Sequence, residues 1–153
     1  MATPSDHPVP YVFLSYASTD RERALHIADL LEANGISIWL DRKSIAGGTS
    51  WSAEIVRGIR ECAALVVACS VAAMVSPNVH QEIQLAWEAR RPILPLLLEP
   101  VSLPDAVQYA LAGRQWIEVG DQETGEWITG ALRALAGFGI VGVDQSMGDI
   151  STP

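Results

Sequence analysis

The stretch "AALVVACS", residues 63 to 70, decides the fold. A strand with one face in water alternates apolar and polar residues. This one stays apolar until its last position, so it has to be covered on both faces, as a central strand of a parallel sheet is. Upstream, "YVFLSYA" (11 to 17) and "ISIWL" (36 to 40) read as strands by their length and their β-branched and aromatic content. Downstream, "PILPLLLE" (92 to 99) and "RQWIEV" (114 to 119) read the same way. Pro95 removes one ladder donor, which argues for placing the fourth strand towards one side of the sheet.

Helical periods separate these runs. Ala24, Leu25, Ile27, Ala28 and Leu31 share a face between Asp20 and a stop at Gly35. A helix from about Trp51 to Cys62 buries Ile55, Val56 and Ile59, and another follows "SPNVHQEI" (76 to 83). "LPDAVQYALAG" predicts a short helix and "DQETGEWITGALRALAG" a last one interrupted by glycines. Strand and helix alternate on short connections, which predicts an α/β protein with helices on both faces of a five-stranded parallel sheet. In the flavodoxin-like order 2-1-3-4-5 of this three-layer sandwich, the first and third strands are neighbours and their connections diverge. A crevice then opens at their carboxyl ends. Its rim carries Ser15 to Ser18, Trp39 to Lys43, and Ser70 onward into residues 76 to 83.

The 153 residues suit one domain with a proper core, predicted over 10 to 136 behind a lead-in at 1 to 9. Residues 137 to 153 read as a glycine-rich tail or linker, such as would lead to a further domain. A formal net charge of −8 argues against nucleic-acid binding, since a phosphate backbone repels it. Cys62 and Cys69 have neither metal-ligand spacing nor a disulfide count, which fits a reduced cytoplasmic setting. The N-terminus lacks the features of a signal peptide, and the most apolar stretch, 62 to 75, is too short for a bilayer. No membrane partner is expected.

Glu82 is the residue whose role matters most. At about 100° per residue, Val79, Ile83, Ala86, Trp87 and Arg90 share a helix face, and Glu82 lies roughly 80° from its centre, at the seam. Ser76-Pro77 or Asn78 can start this helix, so an acid one or two turns in complements the helix dipole without further function. His80 lies roughly 160° from Glu82, which argues against an acid–base pair. No metal constellation is present in the sequence.

The company of Glu82 suggests more. "YVFLSYAS", "WLDRKSIAGGTSW", "LVVACS" and "SPNVHQEI" stand in the order and spacing of a TIR (Toll/interleukin-1 receptor) domain, a resemblance that covers about residues 10 to 136. "VHQEI" resembles in particular the TIR domains that cleave NAD, whose essential glutamate occupies the position of Glu82. The resemblance implies a flavodoxin-like fold. It also implies that the loop after the second strand, with Asp41, Arg42, Lys43, Ile45, Gly47 and Gly48, governs self-association and pocket access. Family members either hydrolyse or cyclise NAD or act only as scaffolds pairing with other TIR domains. Many carry tryptophan where this chain has Asn78, so one wall of the pocket is expected to be polar or built differently.

The chemistry agrees with a single acid. Cleaving the ribose–nicotinamide bond builds positive charge on the ribose, as in glycoside hydrolysis, which normally uses two carboxylates. Nicotinamide departs from a pyridinium as a neutral ring, so no general acid is needed. Glu82 alone is therefore expected to hold the ribose hydroxyls and stabilise the developing cation. NAD+ is substrate here, and no cofactor is expected. Tyr16 and Trp39 are candidate walls for the cationic ring, with core packing an equal alternative for Trp39. Ala17 and Ser18 permit close approach of a ligand, although Ser18 also suits a helix cap. Arg42 and Lys43, with Asp41 beside them, face either the diphosphate or a neighbouring copy. Ser70 and Ser76 read mainly as local caps, with ligand contact secondary. The expected activity is NAD+ glycohydrolysis switched on by homo-oligomer or filament assembly in a bacterial-type immune system; the alternative is a non-catalytic scaffold.

Overall fold

The computed structural model describes residues 10–40, 51–119 and 125–142. Five parallel strands lie in the order β2-β1-β3-β4-β5: β1 (Tyr11–Ser15), β2 (Ser37–Leu40), β3 (Ala64–Cys69), β4 (Ile93–Leu97) and β5 (Ile117–Glu118). The connecting helices are α1 (Arg21–Ala33), α2 (Trp51–Glu61), the short α3 (Val71–Met74), α4 (Pro77–Glu88), α5 (Asp105–Leu111) and α6 (Trp127–Gly137). The flavodoxin-like α/β sandwich expected from the sequence is the fold observed.

All six residues of β3 are buried, because successive side chains enter two different cores. Ala64, Val66 and Ala68 join Val12, Leu14, Leu94 and Leu96 under α1 and α6. Leu65, Val67 and Cys69 join Phe13 and Ile93 under α2, α4 and α5. The continuous apolar run thus reflects two amphipathic interfaces sharing one strand.

Pro95 lies towards one side of the sheet as expected, one strand in from the edge, paired in register with Val67. The sheet tolerates it because of direction. Leu97 accepts from the Val119 amide at 2.8 Å, so the odd-numbered residues of β4 turn their backbone groups towards β5. β5 begins pairing only at Leu96, one residue beyond the missing donor.

The described residues stay packed as far as Gly142. Ile140 is buried in the α1 core, and the chain at Gly142 passes so close to α1 that a Cβ there would stand 2.1 Å from the Asn34 carbonyl oxygen. Only glycine fits that crossing. Residues 143 to 153 and the expected lead-in at 1 to 9 lie outside the described residues.

Burial pushes the Cys62 thiol from 9.0 to about 11 and the Cys69 thiol from 9.0 to about 12. Burial, followed by the neighbouring Cys62 and Glu61, pushes the Tyr11 phenol from 10.0 to about 12. Folding therefore favours the protonated forms. Their stabilising contribution is complete below the unfolded values and is lost as pH rises from about 9 towards 12. At pH 8 both thiols are expected to resist Ellman's reagent until the chain is unfolded, and the urea midpoint is expected to fall between about pH 8 and pH 10.5. Rapid labelling of the native protein at pH 8 contradicts this packing.

Candidate functional site

Three polar side chains are buried among the described residues: Ser15, Ser70 and Glu82. All stand at the carboxyl-end rim of β1 and β3 or on the helix that leaves it. The alternation that sends Phe13 towards α2 and α4 sends Ser15 the same way, since they are two residues apart on β1. Ser15 is the last residue of its strand, and across the interface it meets α4.

On α4 the buried stripe is Val79, Glu82, Ile83 and Ala86. Glu82 is only 6% exposed, buried at the edge of the stripe. Trp87, expected on the buried face, is 43% exposed. The helix is rotated relative to the expected face because the end of β1 offers Glu82 a hydrogen-bond donor. Trp87 lies where the helix runs past the amino ends of the strands, with the Arg114 guanidinium 5.9 Å from its ring centroid.

The Ser15 hydroxyl donates to Glu82 Oε1 at 2.5 Å. A buried carboxylate is costly unless hydrogen-bonded, and this short charge-assisted bond offsets part of the cost while fixing the carboxylate's position. The α4 start is also built to specification: Ser76 Oγ accepts from the Val79 amide at 3.2 Å, with Pro77 at the first helical position. Asn78 is exposed, one turn before Glu82 on nearly the same side of the helix. His80 donates from Nε2 to the Met74 carbonyl at 2.6 Å, away from Glu82.

Ser70 caps α3 by accepting from the Ala73 amide at 3.0 Å, and its hydroxyl donates to Asp20. Glu99 accepts from the Val71 amide at 2.7 Å and pairs with Arg23 at 3.5 Å. Both serines therefore act as caps in this structure. The sequence did not announce the pairings of Ser15 with Glu82 or of Asp20 with Ser70. The usable signal for the first was a serine in phase with Phe13 at the end of a buried strand.

The structure divides the expected aromatic wall. Trp39 packs on the Glu82 side, its ring 4.7 Å from that of Phe13 and tilted by 36°. Tyr16 packs against the opposite core, below α1 and α6. This follows from strand phase, because Tyr16 is one residue from Ser15. Ala17 returns to the Glu82 side, 5% exposed, and Ser18 is exposed in the 3-10 turn Ser18–Asp20. Asp41, Arg42, Lys43, Ile45, Gly47 and Gly48 lie outside the described residues. Among the described residues no cluster of His, Cys, Asp or Glu could hold a metal, and no helix is long and apolar enough to cross a membrane.

A doubly wound sheet with a buried, hydrogen-bonded glutamate at its carboxyl-end rim defines the class. The TIR domain family matches residues 12–136, and the chain belongs to that family. No curated protein matches it in sequence. Solved structures share the fold at low identity. The TIR domain of the Toll-related receptor TRR-2 from Hydra magnipapillata has a TM-score of 0.67 at 18% identity, covering 82% of this chain and 97% of that one. The TIR domains of the activated Roq1 resistosome, which directly recognises the pathogen effector XopQ, reach 0.61 at 20% identity, covering 84% and 98%. The CMP N-glycosidase of Clostridium botulinum reaches 0.55 at 21% identity, covering 79% and 97%.

Replacing Ser15 with alanine removes the donor while leaving its acceptor buried. Ser15→Ala is expected to lower unfolding stability by about 1–3 kcal/mol, measured by urea denaturation. Most of that loss is expected to vanish in a Glu82→Gln background, and an equal loss in both backgrounds contradicts the pairing.

Proposed function

We propose that this TIR domain is an NAD+ glycohydrolase in which Glu82 is the catalytic carboxylate. The observation that carries the reading is the Glu82 carboxylate itself, buried at the rim and held at 2.5 Å by Ser15. A surface acid serving only the helix dipole would sit in water in the first turn. Glu82 is instead the sixth residue of α4, buried at the edge of the apolar stripe. That placement costs free energy, and polar groups placed at such cost cluster at functional sites.

The proposed reaction breaks the bond between ribose C1′ and the nicotinamide nitrogen. The bonding pair passes to the ring, which leaves neutral, and positive charge develops on the ribose. Glu82 stabilises that charge and accepts hydrogen bonds from the ribose hydroxyls. Water then adds to C1′ and loses its proton, giving ADP-ribose and a proton; capture by a group of the same nucleotide in place of water gives a cyclic product. Ser15 is a positioning residue that keeps the carboxylate aimed. Trp39 and Ala17, which pack in the core on the Glu82 side, and Ser18, Ser76 and Asn78 are the proposed substrate contacts. An N-glycosidase among proteins of like fold is consistent with N-glycosidic chemistry on this scaffold. Self-association with other TIR domains is proposed as the activating step, with bacterial-type immune defence in the cytoplasm as its setting.

One observation favours the alternative, a non-catalytic scaffold: Glu82 is nearly closed to solvent and bonded to Ser15, as a structural polar pair would be. The experiment follows nicotinamide release from NAD+ by concentrated protein, with and without a crowding agent. Glu82→Ala is expected to lose activity by at least about 10²–10³-fold, and Ser15→Ala by a smaller factor. Equal rates for wild type and Glu82→Ala under assembling conditions refute the enzymatic reading. Assembly without turnover leaves the scaffold.

A further inference from the structure

At the amino ends of β4 and β5, the opposite end of the sheet from the Ser15–Glu82 bond, a cavity of about 750 Å³ is lined by Trp87, Glu88, Arg90, Arg91, Arg114 and Phe138. Three guanidinium groups in one cavity are a marked concentration in a chain with 10 basic and 18 acidic residues. None of the three joins an ion pair among the described residues, where the pair observed is Arg23 with Glu99. Glu88, the one acid of the lining, accepts from Gln84 Nε2 at 3.1 Å. Two of the guanidinium groups are held in place from behind. Arg91 donates its Nε to the Arg60 carbonyl at 2.8 Å, and Arg114 its Nε to the Ala110 carbonyl at 2.8 Å. Those bonds orient each planar group without engaging its terminal nitrogens. Beside them stand two aromatic rings, Trp87 at 43% and Phe138 at 39% exposure.

Arg90 adds an independent observation. Three helices end in the same way, with a left-handed residue followed by an amide that reaches back to the last turn. After α1 the left-handed residue is Gly35 (φ 85°), with the Ile36 amide on the Leu31 carbonyl at 3.0 Å. After α6 it is Gly139 (φ 88°), with the Ile140 amide on the Leu135 carbonyl at 2.9 Å. After α4 the Arg91 amide bonds the Ala86 carbonyl at 2.9 Å, and the left-handed residue is Arg90, φ 61°, the one non-glycine at positive φ among the described residues. A side chain is strained there and glycine is the usual solution. The fold thus carries an arginine where its own pattern elsewhere uses glycine, and the side chain retained at that cost lines the cavity.

We propose that this cavity binds a nucleoside monophosphate, its phosphate held by Arg90, Arg91 and Arg114 and its base set against Trp87 and Phe138. Planar guanidinium groups match phosphate oxygens in pairs, and aromatic faces accept any base. The volume falls in the usual range for small-ligand sites. Phosphate alone leaves the rings uncovered, and an uncharged aromatic leaves the excess of three arginines over Glu88 uncompensated. The proposal does not rest on NAD+ cleavage at Glu82.

The test is calorimetric titration of the folded chain with AMP, adenosine and inorganic phosphate. AMP is expected to bind once per chain, with adenosine and phosphate each at least about tenfold weaker, and to weaken when salt is raised from about 50 to about 500 mM. Arg90→Gly is expected to raise the thermal midpoint, because glycine relieves the left-handed strain, and at the same time to weaken AMP at least about tenfold. That pairing of gained stability with lost binding excludes misfolding as the cause. Glu82→Gln is expected to leave AMP affinity within about twofold, the sites being separate. Unchanged affinity in both Arg90→Gly and Arg114→Ala, phosphate binding as tightly as AMP, or loss of AMP in Glu82→Gln overturns the proposal.

Discussion

The hydrogen bond from the Ser15 hydroxyl to the Glu82 carboxylate ties the two elements that make the rim, β1 and α4, across an otherwise apolar interface. A carboxylate among Val79, Ile83 and Ala86 is tolerated only with a donor in reach, and strand alternation delivers one from the end of β1. Other features of the rim arrange themselves around that contact. Ser76 and Pro77 fix where α4 begins, and the start of the helix fixes which of its residues face the sheet. Ala17, small and buried on the same side, keeps the chain close as it leaves β1.

Much of this was legible in the sequence, for reasons that differ by element. β3 was plain because a strand buried on both faces cannot alternate; strand–helix alternation pointed to a parallel sheet, and the order 2-1-3-4-5 came with the flavodoxin-like fold that the TIR resemblance implied. Glycine marked the end of α1 because left-handed backbone favours it. Pro95 pointed to one side of the sheet, where β4 lies, although sequence does not say which neighbour a missing donor faces. The α4 stripe was misplaced by arithmetic that sought the most apolar face. A short helix can give a seam position to a polar residue when the partner surface supplies a hydrogen bond, and it can give up a tryptophan to a cation. Tyr16 and Trp39 were taken together because both are aromatic at strand ends, yet phase sends them to opposite cores. The partner of Glu82 was the hardest to see, being 67 positions away in the chain.

α4 carries both unusual sites. Its middle holds Glu82, and its end holds Trp87 and Glu88 and leads into the left-handed Arg90. From Glu82 to Trp87 the helix rises only about 7.5 Å, yet the two residues face different surroundings, Glu82 the buried end of β1 and Trp87 the partly exposed Arg114. The acidic balance of the chain sharpens the contrast, because three arginines with one carboxylate among them stand out in a field that is negative overall.

The central claim is that Glu82 faces substrate ribose. A crystal structure of the assembled protein with a non-cleavable NAD+ analogue tests it most directly. The expected result is a Glu82 carboxylate oxygen within about 3 Å of a ribose hydroxyl, with Ser15 still bonded to the same carboxylate. An analogue bound elsewhere, with Glu82 enclosed and touching only protein, contradicts it.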